Sequence, residues 1–406
     1  MFEGKFTMRR STSVSSEKEG NWPISKAQDA LVVLSAYVAS RIVLVVIGLT
    51  ALHIIPKNFA SQLHFPNYSS PDNWYGLWYH WDSAWYAGIA EHGYTGPILT
   101  TGDTFGQASF AFFPLFPFLT KALSDVLGIK IIAAGLLLSN GMIVIAGIFL
   151  YRYVLLRFGD RWIALTSVIA MYFFPGSFVY SGFMTESLYL GLVIVSYFYM
   201  EKGQYGRGAI AASLATVARS PGILLFFIFL LHWLRKNHNV KPIFENDWQS
   251  FLKILLIPVP LMVFMGFLFY RFDSAFAFSQ VHAFWGRSLA NPMHNLFYNL
   301  LYFRNFSDTT GAILSFTAFF SLLFIASKSK ELTAEEIIYS LAGILVPLST
   351  SLESSIRICD VIFPLFIAIS LFFSRYPRLG CQLIASLAMI NALLMTFWVL
   401  GAQFYV

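Results

Sequence analysis

The sequence predicts an all-α polytopic membrane protein of about eleven transmembrane helices plus an interfacial or re-entrant helix. Three observations lead there. Of its 406 residues, 57% are hydrophobic and only 12% are charged, against about 25% charged in soluble chains. Apolar runs close to the ~20 residues that cross a bilayer as helix recur along the whole chain, among them 31–55, 131–151, 252–270, 309–326, 358–374 and 380–402. The basic residues fall mainly in short loops between these runs. A net charge of +6 would by itself suit nucleic acid. Its distribution instead follows the positive-inside rule, and no nucleic-acid partner is expected.

Residues 1–30 are polar, carry Lys5, Arg9, Arg10, Lys18 and Lys26, and read as a disordered cytoplasmic tail. The run that follows is too long for a cleaved signal peptide, lacks a small-residue cleavage site, and is taken as a retained anchor. Spans are expected at 31–55, 131–150, 162–178, 185–200, 207–218, 221–235, 252–271, 309–326, 335–351, 358–374 and 380–402. This threading puts eighteen of the 27 Lys and Arg residues on the cytoplasmic side and eight outside, with Arg41 inside the first span. It leaves two long outer loops, 56–130 and 272–308, and one integral domain over 31–406.

Two segments control that count. Residues 108–127 carry Pro114, Pro117, Lys121 and Asp125, which suit an interfacial or re-entrant helix on the outer face better than a crossing. Residues 206–236 would make one helix about 46 Å long with basic groups at both ends. Broken at Arg219-Ser220-Pro221-Gly222, they become a hairpin with both basic ends on one side. The first arm is then too short for a bilayer, and short broken helices border cavities more often than lipid. Cys359 and Cys381 fall near opposite faces, which excludes a disulfide between them.

Polar chemistry concentrates in His80-Trp81-Asp82-Ser83-Ala84-Trp85-Tyr86 and in Glu91-His92-Gly93-Tyr94. Further along come Thr185-Glu186-Ser187, Arg219-Ser220-Pro221, the stretch Asp273 to Arg287 with Gln280, His282 and Trp285, and Ser355-Ile356-Arg357. The threading sends all of them to one membrane face, as a site for a substrate with a polar head and an apolar tail requires. Each has a plainer reading. Asp82 among Trp78, Tyr79, Trp81, Trp85 and Tyr86 is either a general base in a sugar-stacking aromatic site or a solvated residue in an interfacial aromatic belt.

Glu91 lies nine residues on, about 180° around a helix from Asp82, which argues against a paired-carboxylate glycosidase arrangement. It is either an acceptor ligand or a solvated residue. Glu186 opens a helix, where the dipole favours a carboxylate whatever its function. Arg219 and Arg357 suit a phosphate fork or headgroup snorkelling. His80 and His92 lack metal-ligand spacing with Asp82, and no metal is expected. Asn67-Tyr68-Ser69 and Asn305-Phe306-Ser307 match the N-glycosylation pattern, which also arises by chance.

Taken together these pieces resemble the PIG-V (GPI mannosyltransferase II) family and its prokaryotic relatives. The resemblance rests on the 80–86 and Ile89-Ala90-Glu91-His92-Gly93-Tyr94 pieces, Phe112-Phe113-Pro114-Leu115-Phe116-Pro117, and Phe174-Pro175 with Tyr180 and Thr185-Glu186-Ser187-Leu188. Ala218-Arg219-Ser220-Pro221-Gly222 and Arg357 with Phe363-Pro364-Leu365-Phe366 complete it, over roughly residues 30–370. It implies a GT-C-type glycosyltransferase that takes a polyprenyl- or dolichyl-phosphate sugar, usually mannose, and inverts the anomeric centre. Transfer would be to an acceptor hydroxyl of a glycolipid or glycan on the periplasmic or lumenal face. It implies Asp82 as the catalytic base. His80, Trp81, Trp85, Tyr86, Glu91, Glu186, Arg219 and Arg357 are the substrate-binding candidates, with no cofactor. The chain departs from the family in its compact length and in Ser220, where Thr is frequent. The expected location is a bacterial inner membrane with a cytoplasmic N-terminus, or the ER membrane of a eukaryote. The rival reading is a transporter or flippase of lipid-linked glycans. That class favours inverted repeats and midplane charges, and neither stands out here.

Overall fold

The computed structural model describes residues 26–55, 74–95, 108–237, 247–281, 289–301, 309–352 and 354–401. All regular structure among them is helical. In chain order the helices are α1 (Lys26–Ile54), α2 (Ser83–His92), α3 (Leu115–Leu127), α4 (Ile131–Phe158), α5 (Arg161–Phe173), α6 (Glu186–Glu201), α7 (Tyr205–Thr216) and α8 (Leu224–Asn237). There follow α9 (Trp248–Leu255), α10 (Val259–Phe272), α11 (Pro292–Leu301), α12 (Thr309–Ser327), α13 (Ala334–Leu348), α14 (Ser355–Asp360), α15 (Phe363–Arg375) and α16 (Pro377–Val399).

Each of the eleven expected segments contains a helix, but among the described residues only four stretches are long and apolar enough to cross a bilayer: 28–54, 131–158, 248–272 and 377–399. Together with the apolar composition they make this an integral membrane protein. The other helices are shorter. At 1.5 Å per residue, α5 and α15 reach only about 20 Å and α7 about 18 Å, against a hydrocarbon core of about 30 Å. Long helices therefore stand beside short ones, and the shortfall leaves room at one end of the bundle.

Several boundaries move. The tail ends earlier than expected, because α1 already begins at Lys26; residues 1–25 lie outside the described part. The expected 162–178 span stops as α-helix at Phe173 and continues as a 3-10 turn, Ser177–Ser181. The expected 358–374 span is two pieces, α14 and α15, with Pro364 at the start of the second. The second outer loop carries a helix, α11, and a single turn at Ala277–Gln280. His282, Trp285, Arg287 and both glycosylation triplets fall outside the described residues.

Within 108–127, a 3-10 turn at Ser109–Ala111 leads into α3, whose 13 residues are too few to cross. Phe116, Pro117, Thr120 and Ser124 form its buried face, while Phe118 and Val126 are exposed.

Packing centres on α6, which lies between α4 and α7 and buries nearly all its residues. α15 packs on α5 and α16, and α16 also packs on α1. Close approach depends on glycine at specific points: a Cβ at Gly135 would meet the Phe183 ring at 2.2 Å, and one at Gly147 would meet the Tyr172 hydroxyl at 2.0 Å. At the end of α6 away from Glu186, α13 begins with a Thr333–Glu336 capping box. Buried Glu336 takes Arg157 at 2.5 Å and the Tyr153 hydroxyl at 2.8 Å, and Glu335 takes Arg235 at 2.9 Å. This cluster clamps α4, α8 and α13 together.

The 206–236 region breaks where expected. α7 stops at Thr216, Ser220–Ile223 forms a 3-10 turn, and α8 starts at Leu224. Gly222 sits so close to α7 that a Cβ would lie 2.2 Å from the Ala215 carbonyl oxygen. Gly222→Ala is therefore expected to destabilise the protein by about 1–3 kcal/mol. The expected result is a lowered thermal midpoint of the detergent-solubilised variant, while Gly88→Ala, where a Cβ meets nothing within 4 Å, should shift it far less.

Candidate active site

Four side chains from four separate parts of the chain meet at the recessed end of the bundle. Asp82 directly precedes α2, and its carboxylate does not cap that helix. It accepts instead from Arg357 Nη1 at 2.6 Å. Arg357 Nε donates at 2.6 Å to Glu186 Oε1, and that same oxygen accepts from Arg219 Nη1 at 2.5 Å. The order Asp82–Arg357–Glu186–Arg219 alternates in sign, as charges withdrawn from water must. Glu186 is fully buried, Arg357 is 4% exposed, and Asp82 and Arg219 are each 19% exposed. The chain of charges thus has a dry middle and two ends open to the cleft.

Local backbone explains the arrangement. Non-glycine residues with φ between +20° and +160° are uncommon and cost energy. Among the described residues there are three, and two flank this site: Trp81 (φ 51°) beside Asp82, and Ser354 (φ 62°) just ahead of α14. The turn at Trp81 is held by the Ser83 amide donating to the His80 carbonyl (3.0 Å) and the Phe183 amide donating to the Trp78 carbonyl (2.9 Å).

Glu186 is the first residue of α6, where helix amides and dipole favour a carboxylate. Arg219 is extended (φ −153°, ψ 151°) in the α7–α8 break. The Thr185 hydroxyl lies 3.4 Å from both the Tyr86 hydroxyl and Arg219 Nη1.

The connection that delivers Glu186 is itself pinned. Arg41, in the middle of α1, is 8% exposed and donates to the carbonyls of Ser177 (2.7 Å) and Tyr172 (3.2 Å) and to the Ser181 hydroxyl. Gly176 lies against α14, where a Cβ would be 2.0 Å from Asp360 Oδ2. Asp360 is fully buried, and neither of its carboxyl oxygens has a hydrogen-bond partner among the described residues. Arg41 and Asp360 were not among the expected site residues. A charge inside an apolar run is the one signal that would have raised either, Arg41 within 31–55 and Asp360 within 358–374.

A solvent-open cleft lies over the ion chain, lined by Asp82, Tyr86, Phe112, Phe113, Arg219, Ser220, Pro347, Ser354, Arg357 and Ile358. Of the expected residues, Asp82, Tyr86, Arg219 and Arg357 line it and Glu186 lies directly beneath.

The others stand apart from the lining. Trp85 is stacked on Phe112 at 5.5 Å and so supports the wall. Trp81 forms the strained turn. The His80 ring packs edge-on against Trp398 at 5.1 Å, and burial pushes its pKa down to about 4. Glu91 lies on the far side of α2, 51% exposed and 3.7 Å from His92. The helical repeat that separates it from Asp82 by half a turn also removes it from the cleft. Among the described residues no three His, Cys, Asp or Glu side chains gather as a metal site.

Fold and site together define an integral membrane protein with a charged, aromatic-walled cleft set into one end of a helical bundle. Residues 31–272 match the model of the mannosyltransferase (PIG-V) family, and the chain belongs to that family. No curated protein matches it. Among solved structures it is similar to ArnT from Cupriavidus metallidurans bound to undecaprenyl phosphate (TM-score 0.48, 13% identity), covering 89% of this chain and 76% of that one. It is also similar to the Archaeoglobus fulgidus oligosaccharyltransferase in complex with Zn and sulfate (TM-score 0.45, 12% identity), covering 89% and 53%. The same organism's oligosaccharyltransferase AglB in complex with an inhibitory peptide and a dolichol-phosphate gives a TM-score of 0.42 at 12% identity, covering 91% and 56%. The chain spans about half the length of the two archaeal chains.

Two outcomes are expected. Removing Glu186 leaves two guanidinium groups without their shared carboxylate, so Glu186→Ala should cost about 3–5 kcal/mol, read as a lowered thermal midpoint. His80 is held neutral by burial: folding disfavours its proton, and the unfolded chain takes one up below its usual value of 6.5. Its contribution to stability is therefore complete above 6.5 and declines as pH falls towards 4. A pH series of thermal midpoints should be flatter for His80→Gln than for the wild type between 6.5 and 5.

Proposed function

We propose that this protein is a GT-C-type membrane glycosyltransferase that moves a mannosyl unit from a polyprenyl-phosphate donor to an acceptor hydroxyl with inversion. The observation that carries the reading is the 2.6 Å contact between Asp82 and Arg357 at the wall of the cleft, within a chain whose family is one of mannosyltransferases. A carboxylate and a guanidinium side by side supply the two things the reaction needs: a proton acceptor for the nucleophile and a cation for the departing phosphate.

Asp82 takes the proton of the acceptor hydroxyl. The freed oxygen forms a bond to the anomeric carbon as the bond from that carbon to the phosphate oxygen breaks. The electron pair leaves with the prenyl phosphate, whose charge Arg357 and Arg219 stabilise. Glu186, held beneath, orients both guanidinium groups, and Phe112, Phe113 and Tyr86 present aromatic faces to the sugar. In the resting site Asp82 is held by Arg357. Arrival of the donor phosphate at Arg357 weakens that hold and releases Asp82 to act as base, so donor binding prepares the site for the acceptor. The cleft faces the periplasm or lumen in this reading, in line with the basic residues at the opposite end of the bundle.

Asp82→Asn, expressed at wild-type level in membranes, is expected to lower transfer from polyprenyl-phosphate mannose by about 100- to 10,000-fold, with a thermal midpoint lowered less than that of Glu186→Ala because Arg357 keeps Glu186 as its partner. Product is read by mass spectrometry of the lipid extract. Undiminished transfer in this variant would remove Asp82 from the chemistry. Transfer from a glucosyl donor but not the mannosyl one would reassign the sugar.

A further inference from the structure

At the opposite end of the bundle from the active site, α1, α4 and α6 line a second, solvent-open cleft. Its walls are apolar, from Val33, Ile148, Leu155, Leu156 and Phe198, and its polar residues are Tyr151, Asp29, Arg152 and Lys202. Lys202 ends α6, sixteen residues or about 24 Å from Glu186, so this cleft lies on the far side of the membrane core from the ion chain.

The charges within it are unequal. Asp29 is already engaged, by the Tyr151 hydroxyl and by Arg161 Nη2 at 3.9 Å. Arg152 and Lys202 are exposed, and neither forms an ion pair among the described residues. Each rests on an aromatic face instead: Arg152 over Phe149 at 5.8 Å and Lys202 over Phe198 at 5.0 Å. Those two rings touch edge-on at 5.2 Å, which brings the two cations to one place on the cleft.

Two cations outside any ion pair among the described residues, beside an apolar cleft whose carboxylate, Asp29, is held by Tyr151 and Arg161, match one chemistry in a membrane protein, an anionic headgroup with acyl chains. We propose that this cleft is a binding site for an anionic phospholipid of the leaflet opposite the active site. Its phosphate sits between Arg152 and Lys202, and an acyl chain runs along Val33, Ile148 and Leu155 between α1 and α4. Basic residues near a membrane surface draw anionic lipid; here the cavity beneath them adds a place for the chain. The site ties α1, which carries Arg41, to α4 and α6, which frame the active site. None of these residues takes part in the proposed transfer, so the inference stands or falls separately from it.

The test uses the full-length protein in detergent, titrated with phosphatidylglycerol and with phosphatidylcholine of identical acyl chains, and bound lipid is followed by native mass spectrometry. Wild type is expected to prefer phosphatidylglycerol by about 30-fold, the product of two surface cations. In the Arg152→Gln/Lys202→Gln double variant the two lipids should bind alike. Both side chains are exposed, so the variant should keep the wild-type melting midpoint. Equal binding of the two lipids by wild type, or a preference that survives in the double variant, overturns the proposal. Inorganic phosphate separates a lipid from a soluble phosphate source. It should leave the lipid adduct in place, and displacement at concentrations equal to the headgroup would assign the cations to a soluble anion and overturn the lipid site.

Discussion

The buried alternation Asp82–Arg357–Glu186–Arg219 is the constraint on which this structure depends. Two carboxylates and two guanidinium groups cannot be withdrawn from water singly without a large solvation cost. Placed in alternation, each charge has a partner within 2.6 Å. That demand fixes the relative positions of the turn before α2, the start of α6, the α7–α8 break and α14. It also divides the roles. Glu186, fully buried and shared by two guanidinium groups, is structural ballast. Asp82, at the exposed end, holds a single guanidinium.

Keeping such a cluster in place requires a rigid surround, and much of it comes from backbone at its closest approach. Gly176 and Gly222 let the Phe174–Thr185 connection and the α7–α8 turn press against α14 and α7, where any Cβ would collide. Arg41 reaches from α1 to satisfy the carbonyls of Tyr172 and Ser177, which the end of α5 leaves exposed inside the bundle. The strained φ values at Trp81 and Ser354 belong to the same scheme, since strain persists only where its surroundings over-determine it.

The short helices give the cleft its position. Because α5, α7 and α15 fall some 10 Å short of a bilayer core, the polar groups at their ends lie recessed within the bundle rather than on its rim. At the far end, Glu335 and Glu336 anchor α13 to α4 and α8 with their own ion pairs. The opposite end of α13 delivers Pro347 to the cleft. The bundle is thus clamped at both ends by charge and filled between by apolar side chains.

The apolar runs alone determined that the chain is a helical membrane protein, because a bilayer demands length and hydrophobicity that can be counted residue by residue. Proline and glycine at 219–222 and 114–117 likewise marked the helix break and the short α3, since their backbone limits are local. Four of the nine expected site residues, Asp82, Tyr86, Arg219 and Arg357, line the cleft. They were legible as polar groups in apolar surroundings, which demand a partner. The identity of that partner was not legible. That Arg357 would grip both Asp82 and Glu186, that His80 would pack on Trp398, and that Arg41 and Asp360 would be drawn inside, depended on contacts between residues more than a hundred positions apart. Such contacts arise only when helices pack, and tertiary structure decided them because the cost of an unpaired buried charge is settled by three-dimensional neighbours.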